Sequence, residues 1–174
     1  MPIAARRAFS LVELVIVIVI LGIIAAVAVP RISSSSRNAG ESALRANLAS
    51  IRNAIDWYHA EHKATLPSAK SDGVNAAGSP EAFRRQLKQY SNSDGQVSVA
   101  KNPAFPFGPY IRGRIPCLTV GAKAGNRSLM VVDQPGPLTT DLGGDRAWIY
   151  NVATGEFIPN APEIGSNGQP YASW

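Results

Sequence analysis

The side chain that most needs a chemical explanation is Glu13, a carboxylate near the start of a long apolar segment. Residues 9–29 contain only two polar side chains, Ser10 and Glu13. A carboxylate in a membrane span costs about 2.5–3.5 kcal/mol near the bilayer centre and less near an end, and it usually marks a function. A cut between Ala8 and Phe9 would supply a partner, because Phe9 would gain a free ammonium group. In a staggered stack of identical helices, that ammonium would pair with Glu13 of a neighbour and select the axial register.

Two further groups of side chains have the types that bind metals. Asp56, His59 and His62 follow one another at spacings of three on a predicted helix, where they are a candidate metal site. The alternative for this trio is a partly exposed polar helix face. Asp141 and Asp145 lie in the glycine-rich stretch "DLGGD" and are candidate calcium ligands. A solvated turn is the alternative for this pair.

Composition excludes several classes of function. The 174-residue chain has a net charge of +5, two histidines and one cysteine. Cys117 cannot form an intrachain disulfide or a thiolate zinc site alone, so we expect a buried, inert thiol. A glycine-rich phosphate loop, HExxH and GxSxG are all absent from the sequence, and we therefore expect no enzyme activity. Only Arg84, Arg85 and Lys88 form a basic cluster, which we interpret as a solvated helix face, so no nucleic-acid partner is expected.

The apolar segment itself has three interpretations. A secretory signal peptide fits the small residues at 26–28, but the apolar run exceeds the usual ~7–15 residues. A plain membrane anchor fits its length, and Arg6 and Arg7 would then hold the amino-terminal end in the cytoplasm. Neither interpretation explains Glu13.

The third interpretation rests on a resemblance. The stretch "RRAFSLVELVIVIVILGIIAAVAVP" resembles the class III signal of type IV pilins and type II secretion pseudopilins. That resemblance implies a leader of residues 1–8, a cut before Phe9 by the prepilin peptidase, and methylation of the new amino terminus. It also implies that Glu13 is the assembly glutamate and that Pro30 kinks or locally melts the helix. Ala8 stands where the family usually has glycine, and both residues are small.

The remaining pattern predicts the elements that position these residues. A helix is predicted over about residues 9–63, and its second half carries one apolar stripe. Ser79, Pro80 and Glu81 predict the start of a second helix. Strands are predicted at "QVSVA", near Leu118–Val120 and at "SLMVVD", with a hairpin in "AWIYNVATGEFIPN". Residues 160–174 show little periodicity, and we expect them to be loosely held.

These elements predict an α+β fold, in which a long amino-terminal helix packs on a small antiparallel sheet. Residues 9–30 would form the transmembrane and filament-core helix, and residues 31–174 an extracytoplasmic head. The resemblance implies a structural subunit of a pilus-like filament, and the lack of a cysteine pair favours a secretion pseudopilin.

Expected partners are identical or related subunits, the prepilin peptidase, the inner-membrane assembly platform and the lipid bilayer. The chain would sit in the inner membrane as a single-pass protein before it assembles. The alternative is a membrane-anchored extracytoplasmic binding domain that does not polymerise.

Overall fold

The computed structural model describes residues 10–174, and at residues 29, 30, 32, 33, 142 and 143 it describes the backbone alone. The chain divides into two compact units, residues 1–39 and residues 40–174. We refer to residues 40–174 as the head.

The first element is a 51-residue helix, α1 (Leu11–Glu61). Its first part is built from Leu, Ile, Val and Ala, which have enough apolar surface to be stable as a helix in lipid. The weak helix formers at residues 33–36 do not interrupt it. The helix also continues through Pro30, although proline has no N–H to donate to Ala26. A kink at Pro30 stays a prediction.

The second half of α1 contributes one apolar face to the core of the head. Every residue of the predicted apolar stripe is at most 2 % exposed: Leu44, Leu48, Ile51, Ile55 and Tyr58. Their spacing of three and four residues places them on one face of the helix. They pack in one core with aromatic residues from the rest of the head, among them Phe83, Trp148, Tyr150 and Phe157. The predicted core face of the long helix is therefore confirmed.

A second helix, α2 (Pro80–Lys88), begins where the sequence indicates. Ser79 caps it, because its Oγ accepts a hydrogen bond from the Ala82 N–H at 3.2 Å. Proline at the first helical position costs nothing there, since that N–H has no helical acceptor. Phe83 and Leu87 are buried against the core.

Five short strands complete the head in two sheets. The first sheet pairs β1 (Tyr90–Ser91) with β2 (Val97–Ser98) in antiparallel orientation. The second sheet has the order β3-β4-β5. Its strands are β3 (Leu129–Val132), β4 (Trp148–Asn151) and β5 (Phe157–Pro159). All four residues of the central strand β4 are buried. Single-turn 3-10 helices span Thr140–Gly143 and Tyr171–Ser173.

The sheet differs from the prediction in two respects. The hairpin of β4 and β5 is confirmed, but β3 pairs with β4 in parallel, so the sheet is mixed. Residues 133–147 make this pairing feasible, because a parallel connection needs about a dozen residues or more. The strand predicted near Leu118 is wrong. Leu118 instead forms a loop pair, in which its N–H donates to Asn126 O and its carbonyl accepts from Gly125 N–H.

The carboxyl-terminal tail is firmly attached, so the expectation of a loosely held tail is wrong. Glu41, only 2 % exposed, accepts hydrogen bonds from the Ser166 N–H at 2.9 Å and the Tyr171 hydroxyl at 2.9 Å. The Ser166 hydroxyl donates to the same carboxylate. The Arg45 guanidinium lies 4.1 Å from the Trp174 ring centroid, in a cation–π contact. These contacts join residues more than a hundred positions apart, so no local periodicity indicates them.

Gly40 lets the loop around Thr119 approach α1 closely. The Thr119 hydroxyl donates to the Gly40 carbonyl at 2.7 Å. A Cβ on Gly40 would lie 2.9 Å from the Thr119 carbonyl oxygen, which is part of the backbone and cannot rotate away. The glycine is therefore required by this contact, although glycine is a poor helix former.

We expect Gly40→Ala to destabilise the head by about 1–3 kcal/mol, the usual cost of overpacking. The measurement is urea unfolding of the full chain in non-ionic detergent, followed by tryptophan fluorescence. Gly22→Ala is the matched control, because its added Cβ meets no atom within 4 Å. A Gly40→Ala protein as stable as the wild type would show that the Thr119 contact imposes no constraint.

Candidate functional site: the apolar helix segment and its carboxylate

The first turns of α1 form one continuous apolar surface. Leu11–Ala28 is long and apolar enough to cross a membrane, by length and composition. Its large side chains are exposed, from Val15 at 43 % to Leu11 at 78 %. Soluble monomers rarely expose apolar patches beyond a few hundred square ångströms, and larger ones mark membrane or protein contacts. This segment is therefore the main candidate for the site through which the protein acts.

Glu13 is the single carboxylate of the segment and lies in the first turn of α1. Its side chain is exposed, and no residue in the described range 10–174 forms an ion pair with it. Helix N-termini carry a partial positive charge, so an acid in the first turn is favourable for the helix itself. Ala8 and Phe9 lie outside the described residues, and the pairing of Glu13 with the Phe9 ammonium stays a prediction.

The predicted metal trio of α1 is not brought together. His62 lies in the core of the head, fully buried, whereas Asp56 is exposed. The His62 Nδ1–H donates to the Tyr58 carbonyl at 2.8 Å, and its Nε2 accepts from the Ser91 hydroxyl at 3.0 Å. With both ring nitrogens occupied, His62 serves packing and not metal binding. Among residues 10–174, no three His, Cys, Asp or Glu side chains form a group that could hold a metal.

The candidate calcium ligands Asp141 and Asp145 lie in an exposed loop. Both carboxylates are exposed, and Asp141 lies in the 3-10 helix Thr140–Gly143. The carbonyl oxygen of Gly144, in the same loop, accepts from the Lys123 ammonium at 2.6 Å and from Asn160 Nδ2 at 3.0 Å. Calcium requires six to eight oxygen ligands, and an ammonium group beside them opposes a second cation. Calcium binding itself stays a prediction, and no step below depends on it.

Arg52 and Cys117 are two half-buried ionisable side chains of the head. The Arg52 guanidinium donates two hydrogen bonds to the Phe157 carbonyl, at 2.9 and 3.2 Å. Burial lowers the pKa of Arg52, and Glu156 partly opposes that change. Cys117 is a free, half-buried thiol. The Arg52 hydrogen bonds join α1 to β5, which is a structural role.

Burial of His62 makes the stability of the head depend on pH. Desolvation lowers the pKa of His62 below 6.5, although its bond to the Tyr58 carbonyl acts in the opposite direction. As the pH falls through 6.5, the unfolded chain therefore binds a proton at this histidine, whereas the folded chain binds it only at lower pH. We expect the free energy of unfolding to fall below about pH 6.5, by at most about 1.4 kcal/mol per pH unit.

The direct measurement is an NMR titration of the imidazole ring in the His59→Gln protein, where His62 is the one remaining histidine. We expect a midpoint below 6.5. A midpoint at or above this value would contradict the neutral, buried role of His62. Urea unfolding of the same variant above and below that pH checks the loss of stability.

Two comparisons with known proteins bear on this segment. The family described as "Prokaryotic N-terminal methylation motif" matches residues 3–29, which include Phe9, Glu13 and most of the apolar run. Type II secretion system core protein G of Pseudomonas aeruginosa is 34 % identical over 106 residues, which are 60 % of this chain and 71 % of that protein. No solved structure gives a significant match. The exposed apolar helix, its single glutamate and these similarities together show that the chain belongs to the pseudopilin and type IV pilin family.

Proposed function

We propose that this protein is a structural subunit of a type II secretion pseudopilus, a filament made of many pseudopilin copies. The observation that carries the proposal is the exposed apolar segment Leu11–Ala28 with one carboxylate in its first turn. Such a surface is stable only in lipid or against other apolar helices. A subunit that leaves the membrane for a filament exchanges the first environment for the second.

In this proposal the chain is made as a single-pass precursor of the inner membrane. Arg6 and Arg7 keep the leader in the cytoplasm, by the positive-inside rule, and the head is extracytoplasmic. The prepilin peptidase then cuts between Ala8 and Phe9 and methylates the new amino terminus. The methylation motif matched at residues 3–29 supports this step. The similarity to a type II secretion core protein supports the secretion system as the setting.

Assembly on the inner-membrane platform would then depend on Glu13. A carboxylate and an ammonium group, both removed from water, attract each other strongly when they are in contact. Each Glu13 would meet the Phe9 ammonium of a neighbouring subunit, so that only one axial register satisfies both charges. Apolar contacts from Leu11 to Ala28 would provide adhesion without selecting the register, because one Leu or Ile resembles the next.

The alternative is a membrane-anchored binding domain that never polymerises. Both proposals use the apolar helix, but only the filament gives Glu13 a role. A simple anchor is more stable in the membrane without a carboxylate. The filament is therefore the better explanation of this residue.

The first test is the mass of the protein extracted from native membranes, with mapping of its amino-terminal peptide. We expect a chain that begins at Phe9 and is heavier there by one methyl group. A chain that begins at Met1 would leave a plain anchor, and one that begins near Val29 would indicate a secreted soluble domain. Either result would contradict processing at Ala8–Phe9.

The second test is Glu13→Ala, compared with Ser10→Ala as the control, since Ser10 is the neighbouring polar residue just before α1. We expect Glu13→Ala to insert and be processed normally but to lose filament assembly. An ammonium group left buried without its partner costs about 3–5 kcal/mol, which is more than a hundredfold in an assembly equilibrium. Sheared-filament yield and chemical crosslinking measure the effect. Wild-type assembly by a processed Glu13→Ala protein would show that the charge pair does not set the register.

A further inference from the structure

The head contains a cavity of about 540 Å³, which is the size of a ligand-binding site. It lies between α2, the loop at residues 111–115 and the turn at residues 126–128. All of these residues belong to the head unit. A role for this cavity does not depend on polymerisation.

The lining of this cavity is strongly basic. Arg84, Arg85 and Lys88 come from α2, and Arg114 and Arg127 come from the two loops. The lining contains no carboxylate. The sequence shows only the three cations of α2 as a cluster, and they look like a solvated helix face. Folding brings Arg114 and Arg127 from distant positions to the same cavity as these three cations.

Two of the five cations are already paired. The Arg85 guanidinium lies 3.2 Å from the buried carboxylate of Asp72, and Arg84 pairs with the exposed Glu81 at 2.8 Å. Burial alone would raise the pKa of Asp72, but hydrogen bonds from Asn75 and Val74 and the charge of Arg85 lower it overall. Asp72 therefore stays ionised and fixes Arg85 at the edge of the cavity.

The other three cations have no carboxylate partner within residues 10–174: Lys88, Arg114 and Arg127. All three side chains are exposed, so an anion that enters the cavity can reach them. Arginine also presents a planar set of donors that matches a carboxylate or a phosphate in two-point contact. The charge of the cavity therefore calls for an anionic ligand.

One uncharged feature narrows the class of that anion. Leu87 and Ile115 are buried and Ile111 is half-buried, so the cavity also offers an apolar wall. A fitting ligand therefore supplies both negative charge and an apolar group. A phosphate ion supplies only the first, whereas an acidic peptide with an apolar side chain supplies both.

We propose that this cavity binds an acidic peptide segment of a partner protein, in which carboxylates flank an apolar residue. Its carboxylates contact Lys88, Arg114 and Arg127. Its apolar side chain packs on the wall formed by Leu87, Ile111 and Ile115.

The test uses the full chain in non-ionic detergent and a fluorescein-labelled peptide, Gly-Glu-Leu-Glu-Leu-Glu-Gly, with binding followed by anisotropy. We expect Arg114→Gln/Arg127→Gln to weaken binding about tenfold or more, because two charged contacts are lost. Lys88→Gln provides an independent second variant. Lys101→Gln/Arg112→Gln is the matched control, since it removes the same charge at exposed positions outside the lining. Circular dichroism verifies that each variant is folded.

Two altered peptides separate the contributions. We expect the peptide with Gln in place of Glu to lose binding, and the peptide with Ser in place of Leu to bind more weakly. Added salt should weaken the interaction, because the rim of the cavity is exposed to solvent. Equal loss in the control variant, or equal binding of the Glu and Gln peptides, would overturn the proposal. So would pyrophosphate or a single-stranded oligonucleotide that binds with this arginine dependence when the peptide does not.

Discussion

The structure depends on one constraint, which is that the apolar side chains from Leu11 to Ala28 are exposed and need a non-aqueous environment. At about 25 cal/mol for each square ångström of apolar surface, the apolar side chains of this 18-residue segment strongly favour burial in lipid or against other helices. In the proposed filament, Glu13 would add specificity to this attraction, because an apolar surface alone does not distinguish one axial position from another. The proposal thus assigns adhesion and register to different side chains of one short segment.

The head has a different requirement, which is to cover the apolar face of one helix with side chains from the rest of the chain. The stripe from Leu44 to Tyr58 provides the apolar face, and the strands β4 and β5 cover it with aromatic side chains. Buried polar groups then fix the loops. Glu41 holds the carboxyl-terminal tail, and His62 holds β1 through the Ser91 hydroxyl. Their loss leaves partners unsatisfied in a low-dielectric interior, where an unpaired polar group is costly.

The basic cavity differs from the buried polar groups of the head. Asp72 and Glu41 are matched by donors from the chain itself. Lys88, Arg114 and Arg127 are exposed, and no carboxylate in the described part of the chain pairs with them. Because these three charges line one cavity with an apolar wall, they support the proposed binding of an acidic segment there.

The sequence by itself determined the features that depend on neighbouring residues. The apolar segment, the stripe on α1, the Ser79 cap of α2 and the hairpin of β4 and β5 all follow from spacings of a few residues. Tertiary structure decided the features that join distant positions: the parallel pairing of β3, the attachment of the tail to Glu41, and the convergence of Arg114 and Arg127 on α2. Tertiary structure also places His62 in the core, whereas its spacing from Asp56 and His59 had suggested a polar helix face. Periodicity reports which face of an element is apolar, but not which distant loop packs against that face, because such contacts depend on the closure of long segments of chain.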